Sequence, residues 1–445
     1  MRPVRLAVIG AGSRGFTYAD YVSRHPGEAI VVAVAEPRLL FQQRFAGKHN
    51  LTPGQTYTDW QAFLEADVSA DAVIIALQDA DHVACALAMA KAGYAILCEK
   101  PIAPTLAECE EVIAAVRATG VLFAVCHVLR YTPYTVALKG LIDGGRIGQI
   151  VSLDQLEPVG NLHQAHSYVR GNWRREDEAS PMLIAKSCHD MDWIRYIIGQ
   201  PCREVSSFGS LTYFTRANQP AEAADRCLDC SLQMSCTYSA RTFYLDAIDR
   251  GEADWPINVL AAEVTHDSVL EALRTGPYGR CVWACDNDVV DHQVVSMRFE
   301  NNSTATFTMT AFTHLRPRET RIFGTLGELY GDGRHIRVSD FATGLSETID
   351  VSSDADGAIT SGHGGGDDGL MQAFVAAVGS GDGTGLGSDP GQALDGYYMG
   401  FAAEQARRDG SVVSVPPNPT ASLSAGPSDQ DRPFSAMPHS RGRRL

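Results

Sequence analysis

The sequence predicts an α/β protein: an N-terminal doubly wound parallel sheet, then an α+β domain whose open sheet is mostly antiparallel. Three observations carry this. Residues 1–126 alternate short apolar runs with helical stretches, the pattern of parallel strands joined by crossover helices. The first run, Leu6–Ile9, passes directly into Gly10-Ala11-Gly12-Ser13-Arg14-Gly15, a strand-to-helix turn. Beyond residue 150 the period becomes two. Ala305, Phe307, Met309 and Ala311 alternate with Thr304, Thr306, Thr308 and Thr310, as in an antiparallel sheet with one covered face.

In order, the first strand leads to a helix near Phe16–Arg24, a strand at Ile30–Ala35, and helices near Leu39–Ala46 and Thr58–Leu64. Ala72–Leu77 is a strand. A helix from about Asp81 to Lys91 stops at Gly93, and Tyr94–Cys98 is the next strand. Thr105 and Glu108 form a capping box for a helix reaching Thr119. Val121–Cys126 ends this domain and Pro133–Gly144 connects to the next. Ile150–Gln155 opens the second domain. Val295, Met297 and Phe299 precede the threonine strand across an Asn301-Asn302 turn, and Arg321–Thr325 and His335–Val338 continue the alternation. The Gly/Asp-rich stretch Ser361–Gly369 precedes a helix near Leu370–Val378. Asp389-Pro390 caps a helix to Arg408. The expected organisation is 1–126, 127–410, and a Pro/Ser-rich disordered tail at 411–445.

The totals exclude several classes. A net charge of −16 over 445 residues argues against a nucleic-acid partner, which needs a basic surface. No apolar run approaches a membrane span of ~18 residues. The chain enters its first strand almost at once, so no signal peptide is expected. Eleven cysteines, an odd number scattered through apolar segments, suit reduced thiols in a cytoplasm. The free threonine-lined sheet face is a candidate homo-oligomer surface.

The glycines have separate tasks. Gly10 permits the turn, Gly12 lets the backbone approach a pyrophosphate, and Gly15 lets helix and strand pack closely. The amides from Ser13 and Arg14 onward would face the phosphates. Glu36 ends the second strand 21 residues beyond Gly15, where a carboxylate would meet the ribose hydroxyls of NAD. Arg38 could accept a 2′-phosphate, but Glu36 would repel it, so NAD is favoured over NADP.

Glu99-Lys100-Pro101 follows the strand at Tyr94–Cys98, at the carboxyl edge where open α/β sheets bind ligands. A lysine there suits proton transfer or hydroxyl binding. Pro181–Gly199 reads as a helix with Lys186, His189, Asp190 and Trp193 on one face, either a pocket wall or a solvated face. His189 is the general acid/base candidate. His163, His166, Arg170, Asn172 and Trp173 cluster in one stretch. Hydrogen-bonding groups with an aromatic ring suit a sugar or polyol, and equally a polar loop. Arg130 and Tyr131 are candidates for the pocket border. Cys227-x2-Cys230-x5-Cys236 lacks a fourth zinc ligand. Cys281, Cys285 or Cys202 would supply one only if the fold brings it near, so reduced structural cysteines are the simpler reading.

GAGSRG, CEKP (Cys98–Pro101), HVLRYTP (His127–Pro133) and KSCHDMDW (Lys186–Trp193), in this order, resemble the Gfo/Idh/MocA family over residues 1 to about 410. The resemblance implies a Rossmann domain and an NAD(P)-dependent oxidoreductase acting on a sugar, sugar derivative or cyclitol. It implies that Lys100 contacts the reacting hydroxyl, and that Glu99 supports the nicotinamide ribose region. It places Gln78, Asp79 and His82 beside the cofactor, and a cis bond at Lys100-Pro101. The family pattern D-x-x-x-H-x-x-D matches at His189 and Asp192, but Ala185 stands where the first aspartate should be. Lys186 or Asp190 would have to replace it. Two other readings stand beside the dehydrogenase: a redox glycosidase with tightly held NAD, and a non-catalytic nucleotide- or sugar-sensing protein.

Overall fold

A computed structural model describes residues 2–351, 363–387 and 390–420. Six parallel strands form the first sheet: β1 (Val4–Ile9), β2 (Ala29–Ala35), β3 (Thr56–Tyr57), β4 (Ala72–Ile75), β5 (Ala95–Cys98) and β6 (Phe123–Val125). Their order is β3-β2-β1-β4-β5-β6, so the chain reverses direction of winding between β1 and β4. The carboxyl ends of these two strands flank the crevice where such sheets bind ligands. Leu6, Val8, Ile74 and Leu97 are buried because helices cover both faces.

The second sheet has nine strands: β7 (Ile150–Pro158), β8 (Cys202–Ser210), β9 (His292–Phe299), β10 (Thr304–Thr310), β11 (Glu319–Gly324), β12 (Gly327–Gly331), β13 (His335–Asp340), β14 (Ser346–Asp350) and β15 (Val413–Ser414). Their order is β14-β13-β12-β11-β7-β10-β9-β8-β15. All pairs are antiparallel except β10 with β7. The alternation in β10 is as expected: Ala305, Phe307 and Met309 are buried, Thr304 and Thr306 exposed. Asn302 makes the preceding turn with φ of 64°.

Two features depart from the sequence reading. Residues 411–420 do not belong to a loose tail. Val413 and Ser414 pair with β8, and Val415 donates its amide to the Arg203 carbonyl, because Val413 and Val415 pack against the second-sheet core. Residues 421–445, Ser361 and Asp389 lie outside the described residues. In addition, the C-terminal helices return to the first sheet. Leu370, Met371 and Phe374 of the Gly366–Ser380 helix share a core with Leu6, Val8 and Tyr18.

The helix Met182–Ile198 is almost wholly buried, Asp190 and Asp192 included, because it is packed on several sides. Met191 and Ile194 join the core under the second sheet, whereas Ile184 and Cys188 join the core of the first. The Pro390–Asp409 helix lies close against it: a Cβ on Gly396 would stand 2.8 Å from the Asp192 amide. Lys186 and His189 are thereby carried to the seam between the two sheets.

Candidate active site

The glycine turn is built as its spacing requires. Gly10 has φ of 97°, and a Cβ there would meet the Ala76 carbonyl oxygen at 2.4 Å. A Cβ on Gly15 would stand 2.0 Å from the Gly10 oxygen. Gly12 differs, since an added Cβ would find only an Arg38 guanidinium nitrogen, at 3.8 Å. The Ser13–Arg24 helix begins here without a side-chain cap, leaving amides of its first turn for an anion.

Glu36 is buried at the end of β2. It accepts from the Ala11 amide at 2.8 Å and from Arg38 Nε and Nη2 at 2.7 and 3.0 Å. Burial opposes its charge, but the Arg38 bonds outweigh that and hold its pKa below the usual range.

Arg14 points away from the turn it belongs to. It donates to Glu99 and Asp367, each at 2.5 Å, and Tyr18 also donates to Glu99 at 2.6 Å. Burial pushes the Glu99 pKa up, but Arg14 and Lys100 reverse this and leave it lowered. Glu99 is therefore part of a buried clasp between the fingerprint helix and the Gly366–Ser380 helix.

Lys100 follows at the end of β5, with a cis peptide to Pro101. Its Nζ donates to the Ala185 carbonyl at 2.7 Å. The family aspartate is absent at Ala185, yet its main chain still holds the lysine. The two ring nitrogens of His82 face the Pro101 and Leu77 carbonyl oxygens, at 2.8 and 3.2 Å. Asp79 accepts from Trp173 Nε1 at 3.2 Å, and burial raises its pKa. Asn172 donates to Gln78 at 3.4 Å.

Lys186, His189 and Asp190 enter one ion network. Lys186 Nζ is 3.2 Å from Glu157, and burial lowers its pKa. Arg318 donates to Asp190 at 2.5 and 2.9 Å and stands 2.8 Å from Glu157. Gln155 also donates to Asp190, at 2.7 Å. Arg318 Nη2 lies 2.9 Å from His189 Nε2. A guanidinium has no acceptor, so Nε2 accepts and the ring proton sits on Nδ1. Burial, then Arg318 and Lys100, push the His189 pKa well below its usual value. His189 Nδ1 is buried with no hydrogen-bond partner. His163 borders the same cations; burial and Lys186 lower its pKa strongly.

Other expected site residues stand elsewhere. Arg130 makes a buried two-pronged pair with Asp192, at 2.6 and 2.7 Å, and holds the Gly387 carbonyl. His166 bonds Tyr244 and stacks on Tyr278. Arg170 donates to the Arg280 and Tyr238 carbonyls. His166 and Arg170 are turned inside the protein because the segment Gln164–Arg170 is a buried helical stretch, not the polar loop its composition suggested. Trp193 also turns inward, donating to Thr135. Arg318, Glu157, Asp367 and His363 were not anticipated. Only Glu157 left a signal, since Leu153, Gln155 and Glu157 repeat at period two along the covered face of β7.

Residues 4–127 match the oxidoreductase family's NAD-binding Rossmann-fold domain, and residues 139–415 match its C-terminal alpha/beta domain. The chain belongs to the Gfo/Idh/MocA family. Inositol 2-dehydrogenase 2 of Paenarthrobacter aurescens is 33% identical over 210 residues, 46% of this chain and 58% of that protein. Inositol 2-dehydrogenase 2 of Saccharopolyspora erythraea is 29% identical over 198 residues, 44% of this chain and 54% of that protein. The chain thus spans a little over half the length of these curated relatives. The fold also matches levoglucosan dehydrogenase solved with NADH and L-sorbose, with a TM-score of 0.68, 19% identity, and coverage of 94% of this chain and all of that one. Within the Gfo/Idh/MocA frame, the open side of Gly12, the uncapped helix and Glu36 fit a dinucleotide. No helix among the described residues is long and apolar enough to cross a membrane.

Proposed function

We propose that this protein is an NAD(H)-dependent oxidoreductase acting on a hydroxyl or carbonyl of a sugar, sugar derivative or cyclitol. The observation that carries this is Lys100: an ammonium held on the Ala185 carbonyl at the carboxyl edge of β5, beside a neutral His189 with a free Nδ1–H. Gly10, Gly12, Gly15, the Ser13 amide and Glu36 would hold the dinucleotide, with Gln78, His82 and Glu99 shaping its nicotinamide end. Bound there, the nicotinamide supplies the hydride acceptor or donor.

The chain's own residues manage the substrate oxygen. Lys100 Nζ has three protons and uses one on Ala185, leaving two for that oxygen. In reduction this ammonium gives a proton to the carbonyl oxygen, and in oxidation the free amine of the same nitrogen takes the hydroxyl proton. His189 donates from Nδ1 to the same or the adjacent oxygen. Lys186, His163 and Trp173 would supply a polar wall with one aromatic face, suited to hydroxyls and C–H surfaces alike. The same reading divides the chain into a cofactor domain at 1–126 and a substrate and oligomer domain at 127–410. The exposed side of the second sheet would pair with a second copy in the cytoplasm. Phe208 and Val294, exposed beside the threonines of β10, support that surface.

The test is absorbance at the reduced-nicotinamide band with NAD or NADP and a panel of sugars and polyols. Substrate-dependent reduction, lowered by about 10²–10⁴ in Lys100→Ala, is the expected result. Co-purified NAD that cleaves glycosides without net reduction would replace this reading with the redox glycosidase. Dinucleotide binding with no turnover of any kind would leave a sensor.

A further inference from the structure

Residues 211–291, between β8 and β9, are poor in regular structure. Among the described residues they hold one helix longer than two turns, His266–Thr275, and a single isolated bridge, Arg226–Arg280. Their apolar side chains form two separate small clusters. Phe214, Tyr238 and Trp283 anchor one; Tyr244, Ile257 and Leu273 anchor the other. A segment of this size with a divided core needs a staple.

A cavity of about 20 Å³ joins the clusters, and Cys227, Cys230, Cys236 and Cys281 all line it. The fold thus chooses among the three fourth-ligand candidates. Cys281 reaches the cavity. Cys285 instead donates its thiol to the Cys281 carbonyl, and Cys202 lies in β8 against the Glu204 and Arg298 carbonyls. Cys227 opens a tight turn closed by the Cys230 amide on the Cys227 carbonyl, and the Tyr238 amide donates to Cys236 Sγ at 3.4 Å.

The second observation is Arg170, which is 1% exposed. Its Nη2 lies 3.5 Å from Cys227 Sγ, and its Nη1 has no partner. Its other bonds go to the Arg280 and Tyr238 carbonyls, and among the described residues no carboxylate pairs with it. A buried guanidinium without an anion is costly. As a metal-bound thiolate, the Cys227 sulfur it faces would supply that charge.

We propose that Cys227, Cys230, Cys236 and Cys281 form a closed tetrathiolate site for one structural zinc ion, with Arg170 balancing its negative charge. Four thiolates around a divalent ion carry a net charge of about −2, about half of which Arg170 offsets. The cavity holds about one water-sized atom, so it fits a single ion and not an iron–sulfur cluster. Among the described residues no three such side chains already stand in a metal-binding arrangement. Binding would therefore turn the thiols into the cavity they share. The ion would fix the segment whose Tyr278 and Trp255 rings pack on His166 and His163. This inference does not rest on the proposed dehydrogenase activity.

The experiment uses the full chain, purified under reductant without chelator or a metal-affinity column. Elemental analysis should find about one zinc per chain. Cobalt exchanged into the site should give thiolate-to-cobalt charge-transfer bands and tetrahedral visible bands. Cys230→Ser should lower zinc occupancy at equimolar metal by at least about tenfold, while Cys285→Ser and Cys202→Ser leave it unchanged. If Cys230→Ser does not fold, the cobalt spectrum and the two control variants carry the test. A folded wild-type chain that takes up no zinc after reconstitution would overturn the proposal. So would a cobalt spectrum lacking thiolate bands, a disulfide among the four cysteines, or equal loss in the controls.

Discussion

Arg318 decides what His189 can do. Because the guanidinium can only donate, it fixes His189 in the tautomer that carries its proton on Nδ1, and burial, with the surrounding cations, keeps the ring neutral. His189 should therefore act as a fixed hydrogen-bond donor and not titrate near neutrality. An asparagine amide occupies about the place of Nδ1–H. We expect His189→Asn to keep kcat within about tenfold of wild type and His189→Leu to lose about 100-fold. The logarithm of kcat/KM should have the same shape from pH 6 to 8 in wild type and His189→Asn. An acid limb near the ordinary histidine pKa that vanishes in the variant would refute the assignment. Glu36 allows a second prediction. Its carboxylate, tied to Arg38, opposes a 2′-phosphate. Glu36→Ala should release Arg38 and raise kcat/KM for NADP relative to NAD by about 10–100-fold, or ~1.4–2.7 kcal/mol. An unchanged ratio, measured with the same substrate, would mean that Glu36 does not read the ribose.

At the scale of elements, the fingerprint glycines separate folding from binding. Gly15→Ala drives a Cβ into the Gly10 carbonyl and should lower thermal stability strongly. Gly12→Ala meets almost nothing in the protein, so its melting temperature should stay within about 2 °C of wild type. It should nonetheless weaken NAD binding by at least tenfold, about 1.4 kcal/mol, measured by calorimetry. A Gly12→Ala variant that binds NAD normally would remove the pyrophosphate from this turn. The helix Met182–Ile198 makes the complementary point. Its period showed a helix, but could not say that it would be covered on both sides. Burial on both sides turns Lys186 and Asp190 from a solvated face into an enclosed ion network with Glu157 and Arg318.

For the whole molecule, enclosure of histidines couples stability to pH. Burial lowers the folded pKa of His163, His189 and His363, and pushes His166 down to about 3. Below the unfolded pKa of about 6.5, the unfolded chain binds protons that the folded chain refuses. The stabilisation is thus complete above that pH and is lost as pH falls below it. Each histidine kept fully neutral costs about 1.4 kcal/mol per pH unit in that window. Denaturant midpoints should drop steeply from pH 7 to 5, and His166→Gln should flatten the slope by about one proton. An unchanged slope would show that His166 is not held neutral.

Local sequence determined the elements and which side chains stand at their ends. Glycines at fixed spacing need only neighbouring backbone to act, so Gly10–Gly15, Glu36 and Lys100 were legible, as was the alternation in β10. The partners were not legible, because they are joined by packing across long chain separations. Arg318 meets His189, and Asp367 meets Arg14, only after the two sheets close on a shared helix. Arg130, His166 and Arg170 are residue types that suit a binding loop, and tertiary burial instead turned them toward partners within the protein. Cys281 likewise joins the other cysteines only in space. What a side chain offers follows from its sequence position, but whether it remains free to offer it depends on which distant groups the fold brings within hydrogen-bonding distance.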